Sequence, residues 1–191
     1  MSALQDLLDD LVSGDEERAE AAVTLLIAMD AAAIPALIDL TRSPDVDARW
    51  WALRTLAASP QAQTEWLVPF LNDPAPEVRQ CAALGLAAKP DESAIQSLIY
   101  ALNDDDTMVG GLAAQSLVKI GGAAVPHLID VVKNGRQVQR IHALRALAEI
   151  RDHRAIPVMM QVMQEDSALL QHWAQEGLER LGLDMIYMKP Q

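Results

Sequence analysis

Apolar and small residues recur along this chain with a step of 30 or 31 residues. Arg79, in the string Val78-Arg79-Gln80-Cys81-Ala82-Ala83-Leu84-Gly85-Leu86, serves as the reference position. The step carries it to Arg18, Arg49, Gly110, Arg140 and Gln171. Three residues after each stands alanine: Ala21, Ala52, Ala82, Ala113, Ala143 and Ala174. Six after stands a small side chain (Thr24, Thr55, Gly85, Ser116, Ala146, Gly177), and seven after stands leucine (Leu25, Leu56, Leu86, Leu117, Leu147, Leu178). The preceding segment has its own stripe. Leu7, Leu37, Leu67, Leu98, Leu128 and Met159 each follow an apolar residue or Thr64 by three positions and precede another apolar residue, the spacing of a helix face.

Each unit therefore reads as a helix A, a short turn and a helix B. Ser43-Pro44, Asn72-Asp73-Pro74, Asn103-Asp104-Asp105, Asn134-Gly135 and Glu165-Asp166 separate A from B. Ser59-Pro60, Lys89-Pro90, Gly121-Gly122 and Gly182 end the B helices. One pair cannot bury both of its apolar stripes, so it must stack on the next. The prediction is an all-α fold: a right-handed α-solenoid of six two-helix repeats at roughly 2–30, 31–59, 60–90, 91–121, 122–151 and 152–182. These form one domain, with 183–191 as a C-terminal tail folded over the last repeat.

The residues resemble the HEAT repeat, in the short form of roughly 30 residues called the phycobilisome-lyase-like HEAT repeat. Proline in helix A (Pro35, Pro126, Pro157), the string from Val78 to Leu86, and an acidic or amide residue six before the reference carry the likeness. That last residue is Asp73, Asp104, Asn134 or Glu165. The resemblance implies an aspartate–arginine ladder between repeats, with Asp73 partnering Arg79 and Asn134 partnering Arg140. Gly110 and Gln171 in place of arginine, and Ser43 in place of the acid, break it. The resemblance also implies either a scaffold or a factor that attaches or removes a bilin, with Trp50, Arg54 and Arg145 able to serve such a pigment.

Charge narrows the partner. A net charge of −12 denies the basic face that phosphate contacts need, which excludes a general nucleic-acid binder. It disfavours anionic membranes and leaves a basic protein open. The single cysteine, Cys81, permits no internal disulfide, and no apolar run reaches membrane length, so a cytoplasmic location is expected.

No catalytic constellation and no metal site emerge. The four histidines are scattered, Cys81 has no neighbouring base, and Asp104-Asp105-Asp106 reads as a helix cap. No resident cofactor is expected; a bilin enters only through the family resemblance. Partner binding falls instead to the concave face lined by B helices. Positions one, five, eight and nine after the reference point away from the core. In the first three repeats they form a mostly apolar stripe that includes Ala19, Val23, Leu26, Trp50, Arg54 and Leu84. In the last three the stripe is mixed and charged. The candidate groove centres on Trp50, with Trp51, Arg54 and Leu84 beside it and Gln115 and Arg145 making polar contacts further along. Its occupant is a protein or peptide, or a second copy in a homodimer, unless the first repeats curl tightly and bury the stripe among themselves.

Overall fold

The computed structural model describes residues 3–165 and 167–183. These residues form six helix pairs and no strand. Helix α1 (Ala3–Leu11) precedes α2 (Glu16–Ala28), α3 (Ile34–Leu40) precedes α4 (Val46–Ala58), and α5 (Thr64–Leu67) precedes α6 (Pro76–Ala88). In the second half α7 (Ile95–Ala101) leads to α8 (Thr107–Ile120), α9 (Val125–Asn134) to α10 (Gln137–Ile150), and α11 (Ile156–Val162) to α12 (Ala168–Arg180). The chain divides into two compact units, Met1–Lys89 and Pro90–Gln191, at the predicted end of the third repeat. Within each unit every A helix packs on its own B helix, and consecutive B helices pack on one another: α2, α4 and α6 in the first, α8, α10 and α12 in the second.

Local chemistry explains where the elements start and stop. Pro35, Pro126 and Pro157 occupy the first turn of α3, α9 and α11, where a missing N–H costs nothing. Pro69 sits deeper in its segment. There it removes a helical donor and crowds the preceding turn. Helix α5 accordingly lasts four residues and continues as a 3-10 stretch, Val68–Asn72. Asp15, Asp45, Asp106 and Ser167 cap α2, α4, α8 and α12 by accepting backbone N–H bonds. Asp106 thus uses its acid run as a cap, taking bonds from Met108 and Val109 at 2.9 and 3.0 Å.

The repeated alanines and leucines are the core. From the second repeat to the sixth, the alanine three after the reference and the leucine seven after it are at most 2% exposed. The first repeat departs from the expected register by one residue. Leu25 is 52% exposed and Ala21 and Thr24 are exposed, whereas Ala19, Ala22, Val23 and Leu26 are buried. The position equivalent to Arg49 is therefore Ala19, and the exposed face of α2 carries Glu20 and Thr24. Ala19, Val23 and Leu26 belong to the core and not to the outward stripe.

The ladder also pairs differently from what the family resemblance implies. Asp73 is the partner of Arg49, from the preceding repeat: Nε donates to Oδ2 at 2.9 Å and the guanidinium NH2 to Oδ1 at 2.8 Å. Arg79 instead donates to the backbone carbonyls of Asp73 and Pro74, clamping its own A–B loop. Arg140 reaches forward in the same way, to Glu165 at 2.6 Å, and not to Asn134. The acid of one repeat answers the arginine of the repeat before it, 24 or 25 residues earlier. The breaks then fall into pairs. Ala19 precedes Ser43 and Gly110 precedes Asn134 by the 24 residues that separate Arg49 from Asp73, so at both breaks a lost arginine coincides with a lost acid. Gln171 keeps only the loop clamp, bonding the carbonyls of Met163 and Glu165.

The predicted tail lies, beyond Leu183, outside the described residues. No helix among those described is long and apolar enough to cross a membrane.

Candidate binding surfaces on the B helices

Trp50, Trp51 and Arg54 share helix α4, and the structure brings all three together. The two indoles meet edge to face, with ring centres 4.8 Å apart and planes at 85°. One turn on, the Arg54 guanidinium carbon lies 5.5 Å from the Trp50 ring centre and 5.1 Å from that of Trp51. Its NH1 is 2.7 Å from Glu20 Oε1 on α2. That atom is buried and the pair lacks hydrogen-bond geometry, so the contact is one of charge. A cation held over two aromatic faces and against a carboxylate gains from ring quadrupole and charge together.

The surrounding cavity measures about 540 Å3 and is acidic. Asp15, Glu16, Glu20, Asp45 and Asp47 line it beside Val12, Ala48 and the two tryptophans. The apolar groove expected there is thus corrected. The register of α2 buries Ala19, Ala22, Val23 and Leu26 and turns Glu20 outward, and the loops before α2 and α4 add their capping acids. Leu84 on α6 is 58% exposed and does not line this cavity. Trp66 lies against the core of the first unit, and Trp51 packs partly against the same cluster.

The neighbouring thiol, Cys81, is not chemically poised. Burial pushes the Cys81 thiol up to about 12, against a small opposing pull from the Arg54 charge. A thiol so protonated is no nucleophile. Among the described residues no group of three or more His, Cys, Asp and Glu is placed to hold a metal ion.

The second unit has its own cavity, of about 330 Å3, between α8 and α10. Gln115 and Arg145 both line it, with Met108, Gly111, Leu112, Val118, His142 and Glu149. Arg145 lies over Trp173, its guanidinium carbon 5.0 Å from the ring centre, while His172 meets the same indole at 5.1 Å. Burial, then the Arg145 charge, lowers the His142 pKa below the ordinary histidine value, so the ring is neutral near pH 7. Sequence periodicity placed Gln115 and Arg145 on this face. The same positions include Gly111 and Val118, whereas Met108 and His142 sit just outside them and were missed.

Comparison with known proteins agrees with the helix-pair architecture. Residues 64–139 match the family described as HEAT repeats, and residues 139–165 match the PBS lyase HEAT-like repeat. A phycocyanobilin lyase subunit beta from Nostoc sp. (strain PCC 7120 / SAG 25.82 / UTEX 2576) is 31% identical over 93 residues, 49% of this chain. That match spans 46% of the relative's own length. The archaeal HEAT-like repeats protein from Thermococcus onnurineus NA1 superposes with a TM-score of 0.64 at 14% identity, over 95% of this chain and 81% of that one. A designed armadillo repeat protein in complex with peptide (KR)4 gives 0.52 at 20% identity, over 94% and 100%. Both structural likenesses establish an α-solenoid repeat fold. With alanines and leucines buried in step from the second helix pair to the sixth, residues 64–139 are matched as HEAT repeats and residues 139–165 as the PBS lyase HEAT-like form.

Proposed function

We propose that this protein is a non-enzymatic binding module that grips a cationic, extended protein segment on the α2–α4 face of its first unit. The supporting observation is the cavity in which two tryptophan faces lie among five carboxylates, with Arg54 already engaging both kinds of group. An incoming lysine or arginine finds there what Arg54 finds: aromatic faces and acids in a partly desolvated recess. The fold is suited to such a role, since the designed armadillo repeat protein of similar architecture is held in complex with a (KR)4 peptide. The chain's net charge of −12 adds long-range attraction for such a segment.

The test is calorimetric titration of the full chain with an alternating Lys-Arg octapeptide at two salt concentrations. Binding that weakens with salt and is lost in Glu20→Lys supports the reading. Absence of binding at low salt, or affinity unchanged by Glu20→Lys, overturns it. Light scattering during the same titration separates peptide capture from self-association.

A second reading rests on the similarity to phycocyanobilin lyase subunit beta. Under it the chain handles a bilin, with Arg54 or Arg145 meeting a propionate. Mixing the purified protein with a free bilin and recording the visible spectrum decides this. An unshifted spectrum at micromolar protein removes the pigment reading and leaves the peptide one standing.

A further inference from the structure

Two adjacent glycines in the middle of α8 have different explanations. A Cβ on Gly110 would come within 3.0 Å of His142 Nε2, so Gly110 makes room for the neighbouring helix. A Cβ on Gly111 would meet nothing within 4 Å, and no unusual backbone angle requires glycine there. A glycine in a helix interior weakens the helix, and close approach of a ligand to backbone is one established use for it. Gly111 lines the α8–α10 cavity, so its missing side chain keeps that space clear.

Arg145 is the second observation. In the same chain Arg49, Arg54 and Arg140 each reach a carboxylate. No carboxylate among the described residues pairs with Arg145; it is stacked on Trp173 and borders the cavity. A guanidinium resting over an indole, with its N–H fork unspent, can meet a planar carboxylate through two parallel bonds. Leu112 and Val118 give the cavity apolar walls, and the exposed Gln115 amide offers both a donor and an acceptor. Glu149 borders the same space, and its charge disfavours a ligand with a second acid.

We infer that the α8–α10 cavity is a binding site for the C-terminal end of a polypeptide: one apolar side chain, one amide and one terminal carboxylate, the last held by Arg145. Its volume, about 330 Å3, lies at the small end of ligand pockets, suited to one terminal residue. The ligand is anionic, so this site is chemically distinct from the acidic cavity of the first unit.

Ligand-observed NMR and calorimetry on the full chain, with N-acetyl-phenylalanine as probe, test this. The acid should bind, and N-acetyl-phenylalaninamide should bind about tenfold or more weakly, because it lacks the charge. Arg145→Gln should lose the same factor. Gly111→Leu should abolish binding without lowering the melting temperature, because its side chain enters open space. Tyr100→Ala, at an exposed position that lines neither cavity, serves as control and should leave binding unchanged. Equal binding of acid and amide, or wild-type binding by a folded Gly111→Leu protein, overturns the site. Equal binding of 3-phenylpropionate, which lacks the amide, overturns the assignment to a chain terminus. Should Arg145→Gln fail to fold, the Gly111→Leu and amide results decide alone.

Discussion

The guanidinium of Arg49 closes a two-bond fork on the carboxylate of Asp73, one repeat further along, while its remaining NH1 holds the carbonyls of Ser43 and Pro44 at 3.1 Å. One side chain thus ties its own A–B loop to the loop of the next pair. Both partners are largely out of solvent, with side-chain exposures of 13% and 6%. A pair so placed adds little compared with apolar packing, but removing one member strands the other's charge.

Asp73→Asn should therefore destabilise the first unit by about 3 kcal/mol, the cost expected for breaking a buried pair. The effect should depend on pH. Burial opposes ionisation of Asp73, but the Arg49 hydrogen bonds, the Ala75 N–H and the charges of Arg49 and Arg79 outweigh it and hold the carboxyl below its ordinary value. The stability this contributes is present above the unfolded value of about 3.9 and is lost as pH falls through the lower folded value. Denaturant melts of wild type and variant should differ at pH 7 and converge below about pH 4. A constant difference across that range would remove the charge explanation.

Glycine substitutions on two B helices should move stability in opposite directions. A Cβ on Gly85 would sit 2.8 Å from Ala57 Cβ and 3.1 Å from Leu67 Cδ1, so Gly85→Ala forces α4 and α6 apart and should cost about 1–3 kcal/mol. Gly111→Ala meets no neighbour and should gain about 0.5–1 kcal/mol from helix propensity. Thermal melts of the two variants test the close approach of B helices directly. If both fall, Gly111 has a packing role that its open surroundings do not show.

The fold was readable because Ala82 and Leu86, and their counterparts, are the atoms through which helices touch; such positions tolerate little change of size. The first repeat was misplaced by one residue for a definite reason. Ala21-Ala22 and Leu25-Leu26 are doublets, so both registers satisfy the pattern, and Arg18 next to Ala19 favoured the wrong one. Arg18 in fact pairs with Asp10 across its own helix pair, a contact no periodicity encodes. The acidity around Trp50 was hidden likewise: Asp15 and Asp45 are caps by local grammar, and only the packing of α2 beside α4 turns them toward one recess. Gln115 and Arg145 were legible because they lie on outward positions of B helices whose register was correct.

Cys81 should behave as a structural thiol. With burial pushing it to about 12, its thiolate fraction at pH 8 falls about two to three orders of magnitude below that of a free thiol. A chromogenic disulfide reagent should label it slowly in the native protein and at once in denaturant. The folded state also retains a proton that the unfolded state releases near 9, so stability relative to Cys81→Ala should decline as pH rises from about 9 toward 12. Fast labelling of native protein at pH 8 would show that helix α6 opens and would remove the structural-thiol reading.

Arg54 gives the sharpest test of the binding proposal, because it occupies the aromatic recess that an incoming cation would use. The five acids and one arginine lining that cavity carry a net charge of −4, and Arg54→Gln makes this −5. The variant loses one internal competitor and gains attraction for a positive segment. Its affinity for the Lys-Arg octapeptide should rise severalfold at low salt, with a steeper salt dependence. Trp50→Ala removes a face on which the cation rests and should weaken binding by about 0.5–2 kcal/mol. The opposite signs matter more than the sizes, since a generally damaged surface would weaken binding in both proteins. Should Arg54→Gln lose affinity alongside Trp50→Ala while both melt normally, Arg54 would be a contact residue, and the picture of it as an internal occupant would fall.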